Sequence, residues 1–159
     1  MAVSLLMLTV ANGCGGTDVT GSMNADARTL AATTASRADQ SSARSGGFTV
    51  RKDCQGYNGR AGETCLIVES SLKEVPKGSI VTYRSGAVDG FLDSDVIVDP
   101  PRPGNNVAFG HCSLSLITGV GECHFLGGTG KFTHFHGSVA VSPLGGNIFA
   151  WNGTYGFAP

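Results

Sequence analysis

Two short motifs between residues 125 and 142 contain residue types that support chemistry. The sequence there reads FLGGTGKFTHFHGSVAVS, which combines a glycine-rich GGTGK with two histidines, His134 and His136. A glycine-rich loop that ends in lysine binds phosphate in many nucleoside triphosphatases, and histidines two residues apart bind metal ions in many enzymes. The residues around each motif decide whether either chemistry is available.

The GGTGK motif does not have the pattern of a phosphate-binding loop. That pattern needs a further glycine where Phe125 stands and a serine or threonine where Phe132 stands, with a helix to follow. The residues that follow instead alternate between polar and apolar, as in a β-strand. We therefore predict no nucleotide binding. We expect a tight connection between strands, in which Gly127, Gly128 and Gly130 supply positive φ angles.

The two histidines of the His-Phe-His motif have no third ligand near them in the sequence. His111, His124 and Glu122 belong to neighbouring predicted strands and are the residues that could approach them. Exposed histidines on the polar face of a strand are the more common arrangement, because histidine is often found at the surface. We predict that His134 and His136 hold no metal.

The cysteines form two pairs with equal spacing, and a further cysteine lies near the N-terminus. Four cysteines allow three connectivities. Cys112 and Cys123 flank a tight turn at 117–119, so they face each other across a hairpin, and glycines mark a turn between Cys54 and Cys65. These positions predict two local disulfides. Buried free thiols in a cytosolic protein are the alternative, and neither pair has the close spacing that zinc ribbons use.

The first forty-six residues differ in composition from the rest of the chain. Residues 1–14 read as a signal peptide-like segment, whose apolar run ends in small residues before Cys14, as at a bacterial lipoprotein cleavage site. Residues 15–46 are poor in large apolar side chains, which predicts a flexible low-complexity tether. We expect an exported protein, either secreted or periplasmic or anchored to a membrane only through lipid on Cys14, with a folded domain at 47–159.

The composition of that domain favours an all-β fold. The chain has a net charge of -1 with 14% charged residues and 24 glycines, so it has no basic surface for nucleic acid. Short alternating runs between glycine, proline and asparagine predict eight strands and no helix. The runs lie at 47–52, 64–70, 79–84, 95–98, 106–116, 120–126, 132–142 and 148–157. We predict an eight-stranded antiparallel barrel, with a sandwich as the alternative.

Large aromatic residues in the C-terminal half fall on one face of the predicted strands. In the last predicted strand, one face carries Phe149, Trp151 and Tyr155. In the strand that precedes it, Phe135 lies on the same face as two valines. Such a stripe forms either the packed core of the barrel or the wall of a lumen that holds a ligand. The predicted ligand-binding residues are Phe125, Phe135, Phe149, Trp151 and Tyr155.

The GGTGKF motif at 127–132, followed by an alternating strand and then WNGTY at 151–155, resembles the dirigent and allene oxide cyclase barrel superfamily. The resemblance covers residues 106–157 and implies an eight-stranded antiparallel barrel with an apolar lumen. Plant members guide the coupling of phenoxy radicals or cyclise an unsaturated fatty-acid epoxide, and neither needs a cofactor. The small residues that usually follow this motif in the family are replaced here by Thr133, His134, Phe135 and His136. None of the family's catalytic residues is assigned to a position of this chain.

Three functions fit these observations. The first is an exported barrel that binds a small hydrophobic molecule, and the second is a cofactor-free cyclase or isomerase whose lumen folds and polarises a substrate. For the second, the candidate polar groups are Glu69, Tyr83 and Tyr155. The third is a structural surface lipoprotein, whose aromatic face packs a core or an interface between copies in a homo-oligomer.

Overall fold

Eight antiparallel strands close into a barrel. A computed structural model describes residues 44–101 and 103–158; the predicted signal-like segment with Cys14 and the predicted tether up to residue 43 lie outside the described residues. Each strand pairs with the next, and the last pairs with the first, which confirms the predicted fold class. The strands are β1 (Arg44–Asp53), β2 (Thr64–Ser70), β3 (Ile80–Tyr83), β4 (Phe91–Asp99), β5 (Ala108–Ser115), β6 (Gly121–Gly128), β7 (Phe135–Gly145) and β8 (Ile148–Phe157).

Alternation of apolar and polar side chains determines which face of each strand is buried. In β7, Phe135, Val139 and Val141 are buried, while His136 and Ser138 between them are exposed. Successive side chains of a strand point to opposite faces, so a closed sheet encloses one set and leaves the other in water. The aromatic stripe of β8 follows the same rule and packs on the core.

Three strands start three or more residues away from the position that the sequence predicted. The first strand starts at Arg44, inside the predicted tether, because residues 44–46 pair through their backbone with the end of β8 and bury no side chain. Strand β4 starts at Phe91 rather than at residue 95, since the turn-like residues before Asp95 continue the pairing with β5. Strand β7 starts at Phe135, and Gly130–Phe132 form a short 3-10 turn instead of the predicted strand.

Both predicted disulfides are confirmed. Cys54 bonds to Cys65 across the β1–β2 connection, and Cys112 bonds to Cys123, its direct partner in the β5–β6 register. Disulfides persist in oxidising compartments, so the two bonds indicate an exported environment. Among the described residues, no helix is long and apolar enough to span a membrane.

The GGTGKF motif closes one end of the barrel. Gly130 has a φ of 55°, and a Cβ there would come within 2.3 Å of Asn106 Oδ1, so only glycine fits this close turn. Gly128 has no positive φ, in contrast to the prediction; a Cβ there would lie 2.1 Å from the Val107 carbonyl oxygen, so close packing requires this glycine. The turn directs the Phe132 ring into the barrel, where it is fully buried.

Candidate functional site

A lysine side chain lies inside the barrel. Lys52 is on β1, where Phe48 and Val50 also face inward and Thr49 and Arg51 face water, and only 2% of its surface is exposed. The alternation of β1 therefore places a lysine on the apolar face. Sequence reasoning missed this residue, although the parity of β1 was a signal for it, because lysine is almost never fully buried.

The surroundings of the Lys52 amine are aromatic and contain no counter-charge. The amine donates a hydrogen bond to the Tyr83 hydroxyl. Its Nζ lies 4.7 Å from the centre of the Trp151 ring, 5.0 Å from that of Tyr83 and 5.8 Å from that of Phe149. In the part of the chain that the structure describes, no carboxylate lies within ion-pair distance of the amine.

Burial changes the protonation of the groups at this site. It lowers the pKa of Lys52 to about 7, because an ammonium is poorly solvated among aromatic rings. Burial likewise raises the pKa of Tyr83 above its usual range, and burial together with the Glu63 carboxylate raises the pKa of Tyr57 to about 12. Near neutral pH the site therefore contains neutral tyrosine hydroxyls and an amine that exists in both protonation states.

Two buried polar atoms near Lys52 have no hydrogen-bond partner among the described residues. They are the Tyr57 hydroxyl oxygen and the Trp151 indole nitrogen, Nε1. The Tyr57 ring lies 5.1 Å from the Tyr83 ring, so its hydroxyl belongs to the same group of side chains as the Lys52 amine. An unpaired buried polar group costs about 1–3 kcal/mol, and a water or ligand atom relieves that cost.

A small cavity adjoins these groups. It has a volume of about 20 Å³, which is enough for one water molecule. Its walls are mostly apolar, with the Cys54–Cys65 disulfide on one side. The lining residues are Lys52, Cys54, Tyr57, Cys65, Tyr83, Leu92, Leu114, Leu116, Val141 and Phe149.

The two ends of the barrel are closed differently. At the end marked by Phe132, which we call the Phe132 end, the buried side chains of Leu72, Val75 and Phe132 fill the opening. At the opposite end, which we call the Lys52 end, the partly exposed side chains of Tyr57, Leu116 and Phe149 surround it. The Lys52 end is therefore the less tightly closed of the two.

The β1–β2 connection carries Tyr57 over the Lys52 end and is held by hydrogen bonds. The Glu63 carboxylate accepts backbone N–H bonds from Asn58 at 2.6 Å and from Arg60 at 3.0 Å. These bonds lower the pKa of Glu63. The Gly59 carbonyl accepts the Ala87 N–H at 2.7 Å, which joins this connection to the β3–β4 connection.

The residues predicted from sequence to bind a ligand lie in two parts of the barrel. Phe125, Phe135 and Trp151 pack against one another in the centre around a cavity of only about 10 Å³. Phe149 lies at the Lys52 end, and Tyr155 lies towards the Phe132 end, where its ring meets Phe48 edge to face. The structure thus brings Phe149 and Trp151 close to Lys52 and keeps Tyr155 away from it.

The candidate polar groups are likewise separated. Tyr83 is buried beside Lys52, as a group that polarises a substrate should be. Glu69 lies on the outer surface, where it pairs with Arg51 at 3.1 Å, so it is not a lumen acid. Glu69 has the same parity on β2 as the buried Cys65 and Ile67, but a register shift between Arg51 and Lys52 places Glu69 opposite the exposed Arg51, so its side chain points outward.

The histidines lie on the outer surface of the barrel. His134 is in the turn before β7, so only His136 of the His-Phe-His motif is on the strand, and both are exposed. His111 bonds to Asp95 at 2.9 Å and to Asp93 at 2.6 Å, and these contacts raise the pKa of His111. Within residues 44–101 and 103–158, no three His, Cys, Asp or Glu side chains are arranged to hold a metal ion.

A larger groove, of about 610 Å³, runs over the outer surface beside His111. It is open to water, and it lies between Arg84 on one side and Phe109 and Leu126 on the other. The histidine in this groove, His111, is already bonded to two carboxylates, which balance the positive charge of its protonated ring. The Lys52 end differs because its polar atoms are buried and two of them, the Tyr57 hydroxyl oxygen and Trp151 Nε1, are unpaired, and we therefore take it as the candidate site.

No protein-family model matches the chain, and neither a curated protein nor a solved structure matches it.

Proposed function

We propose that this protein is an exported barrel that binds a small hydrophobic molecule at the Lys52 end of its lumen. The observation that carries the proposal is an apolar cavity that contains an amine and an unpaired Tyr57 hydroxyl. Binding sites for small molecules are mostly apolar, with a few polar groups that fix the orientation of the ligand. The proposal covers both forms of export, in which the protein is either anchored to a membrane by lipid on Cys14 or secreted.

The polar atoms of the site favour a ligand with an apolar body and an oxygen at one end. The oxygen would accept a hydrogen bond from the Lys52 amine, while the Tyr57 hydroxyl, which has no partner among the described residues, would reach water once its ring moves aside. The hydrocarbon part would contact Leu114, Leu116 and Phe149 along the wall. Burial of each methylene group contributes about 0.8 kcal/mol, so even a six-carbon chain gains useful affinity.

Entry requires the Tyr57 side chain to move, because the cavity of about 20 Å³ holds no more than a water molecule. Tyr57 is on a connection rather than on a strand, and its ring is only partly buried. Loops that cover binding sites open more easily than the core, since few buried contacts hold them. We expect the ligand to replace the Tyr57 ring between Leu116 and Phe149.

A structural role is the second candidate function, and the filled centre of the barrel favours it. Phe125, Phe135 and Trp151 leave a central cavity of about 10 Å³. A cofactor-free isomerase or cyclase is a further alternative, favoured by the bond between Lys52 and Tyr83, which places two groups capable of proton transfer side by side. Ligand binding without chemistry needs neither an empty centre nor a transferred proton.

The test uses the fluorescence of Trp151, the single tryptophan of the chain. Titration with hexan-1-ol should shift the emission of the wild type, because the Lys52 end adjoins the indole ring. Tyr57→Ala should bind hexan-1-ol more tightly, since it opens the entrance. Leu126→Ala, in the outer groove, is the matched control and should behave as the wild type.

Native mass spectrometry of the protein purified from its own host provides the second measurement. We expect a retained small molecule that is lost on unfolding. No emission change in either the wild type or Tyr57→Ala, together with no retained molecule, would rule out ligand binding and favour the structural role.

A further inference from the structure

We propose that the Lys52 amine is a nucleophile that captures an aldehyde or ketone as an imine at the Lys52 end of the barrel. The proposal rests on the proposed function, because the carbonyl compound would enter the same cavity. It goes further by naming the chemical class of the ligand and the atom to which the ligand bonds.

The geometry around Nζ suits attack on a neutral carbonyl group. The amine has one polar partner, the Tyr83 hydroxyl, and is otherwise surrounded by the rings of Trp151, Tyr83 and Phe149. A carboxylate partner would hold the amine as a paired ammonium, but none of the described residues supplies one. The adjacent cavity has room for the two atoms of a carbonyl group once the Tyr57 ring has moved.

Protonation separates Lys52 from the lysines on the surface. Burial lowers the pKa of Lys52 to about 7, so near neutral pH about half of the amines carry a free electron pair. A lysine with an ordinary pKa near 10.4 is neutral in only about one molecule in two thousand at that pH. Desolvation of a lysine in an apolar pocket is a known way to activate it as a nucleophile.

The reaction needs no oxidant, reductant or metal. The nitrogen electron pair attacks the carbonyl carbon and forms the C–N bond, while the C=O π electrons move to oxygen, which takes a proton from the Tyr83 hydroxyl. The tyrosinate takes one N–H proton back from the nitrogen, which leaves a neutral carbinolamine. The carbinolamine then loses its remaining N–H proton and its hydroxyl group as one water molecule, and the nitrogen electron pair forms the C=N bond. Amine and aldehyde thus give imine and water, and hydrolysis reverses the reaction.

A neutral carbonyl compound fits this site better than an anion does. Recognition of a carboxylate or phosphate requires several charged or N–H donors around it. Here the donors are one amine and the hydroxyls of Tyr57 and Tyr83, within apolar walls. An ionised ligand would lose its hydration without sufficient compensation.

The experiment is reductive trapping with hexanal and cyanoborohydride at neutral pH, followed by intact-mass measurement and peptide mapping. We expect one hexyl group per chain on Lys52. Labelling of Lys52 should be at least about tenfold faster than that of the exposed Lys73 and Lys77, since the neutral fractions differ by about three orders of magnitude. Equal rates at the three lysines would overturn the proposal.

Two variants and a pH series keep the test independent of folding. Lys52→Met keeps the length and volume of the side chain and should show no fast labelling, whereas Lys77→Arg should label as the wild type. In the wild type itself, the trapping rate at Lys52 should rise with pH to a plateau above about 7. A rate that continues to rise as at surface lysines would contradict the proposal even if Lys52→Met failed to fold.

Comparison with hexan-1-ol separates this proposal from the proposed function, because the alcohol has the same chain and forms no imine. Emission shifts with hexan-1-ol but no trapping of hexanal would disprove the covalent step and leave ligand binding intact. Trapping without any shift would support the nucleophile and contradict reversible binding. Tyr83→Phe should slow trapping several-fold without abolishing it, as expected for a residue that supplies a proton.

Discussion

The inner and outer surfaces of the barrel each carry a titratable group that is hydrogen-bonded to a residue of another strand. Inside, Lys52 bonds to Tyr83; outside, His111 bonds to Asp95 and Asp93. Burial lowers the pKa of Lys52, whereas the two carboxylates raise the pKa of His111. The same fold thus disfavours a positive charge on one surface and favours it on the other.

This difference indicates which group has a functional explanation. Exposed charge pairs contribute little to stability and are common on any surface. A buried amine without a counter-charge reduces the stability of the folded state near neutral pH, where a methionine of similar size would not. Lys52 therefore has no evident structural advantage, which is consistent with a chemical role.

Trp151→Ala should give the largest effect. Trp151 is buried and packs against Phe125 in the centre of the barrel, so its truncation should reduce the free energy of unfolding by about 3–5 kcal/mol. Chemical denaturation followed by circular dichroism measures the loss. Leu126→Ala, at a position 82% exposed, should be nearly neutral, and similar losses in both variants would mean that the two surfaces are wrongly assigned.

The stability of the wild type should depend on pH because of Lys52. Its pKa is about 7 in the folded protein, below the unfolded value of 10.5, so the unfolded chain binds a proton that the folded chain lacks between these values. Stability should therefore increase as pH rises from 7 to 9, by up to about 1.4 kcal/mol per pH unit. The raised pKa values keep Tyr57 and Tyr83 neutral in this window.

Denaturation of the wild type and of Lys52→Met at several pH values checks this expectation. The variant should show no rise in stability between pH 7 and 9, and it should be the more stable protein at pH 7. If the stability of Lys52→Met still rises with pH, a group other than Lys52 causes the pH dependence.

The His111 cluster should give the smallest effect, with the opposite sign. The folded pKa of His111 is raised, so its stabilising contribution is complete below the unfolded value of 6.5 and is lost as pH rises through the folded pKa. Because 44% of the side chain is exposed, water and salt weaken the contribution. His111→Gln should remove a shallow decline above pH 6, and high salt should do the same in the wild type. A decline that is steep and insensitive to salt would indicate a buried group instead.

Regular alternation and cysteine spacing made much of the fold predictable from the sequence. In β7 and β8 the alternation of large apolar and small polar residues is nearly complete, and the opposition of Cys112 and Cys123 followed from the turn between them. Residues 44–46 were not predicted as a strand, since they are polar or glycine and bury no side chain in their pairing with β8. Phe132 was assigned to the strand that contains Phe135, although Gly130 starts a turn that places Phe132 at the barrel end.

The candidate site was less predictable than the fold. Tyr83 was identified from the sequence as a candidate polar group of the site. Its partner Lys52 was not, because lysine normally lies in water. Residue type led to Glu69, which shares its parity with the buried Cys65 and Ile67, and the register shift that turns its side chain outward has no signal in the sequence. The contact between Lys52 and Tyr83 joins two strands that are not neighbours in the sheet, so only the closed barrel brings the two residues together.

The pairing of β1 with β8 affects the order in which the chain can fold. Arg44 lies opposite Phe157, so the barrel closes only after nearly the whole domain has left the ribosome or crossed a membrane. Contacts so distant in sequence slow folding, and until they form the edges of both strands are open to other chains. The two disulfides each join residues within a single hairpin, so they can form before closure. Oxidation of the local hairpins can therefore precede the final step.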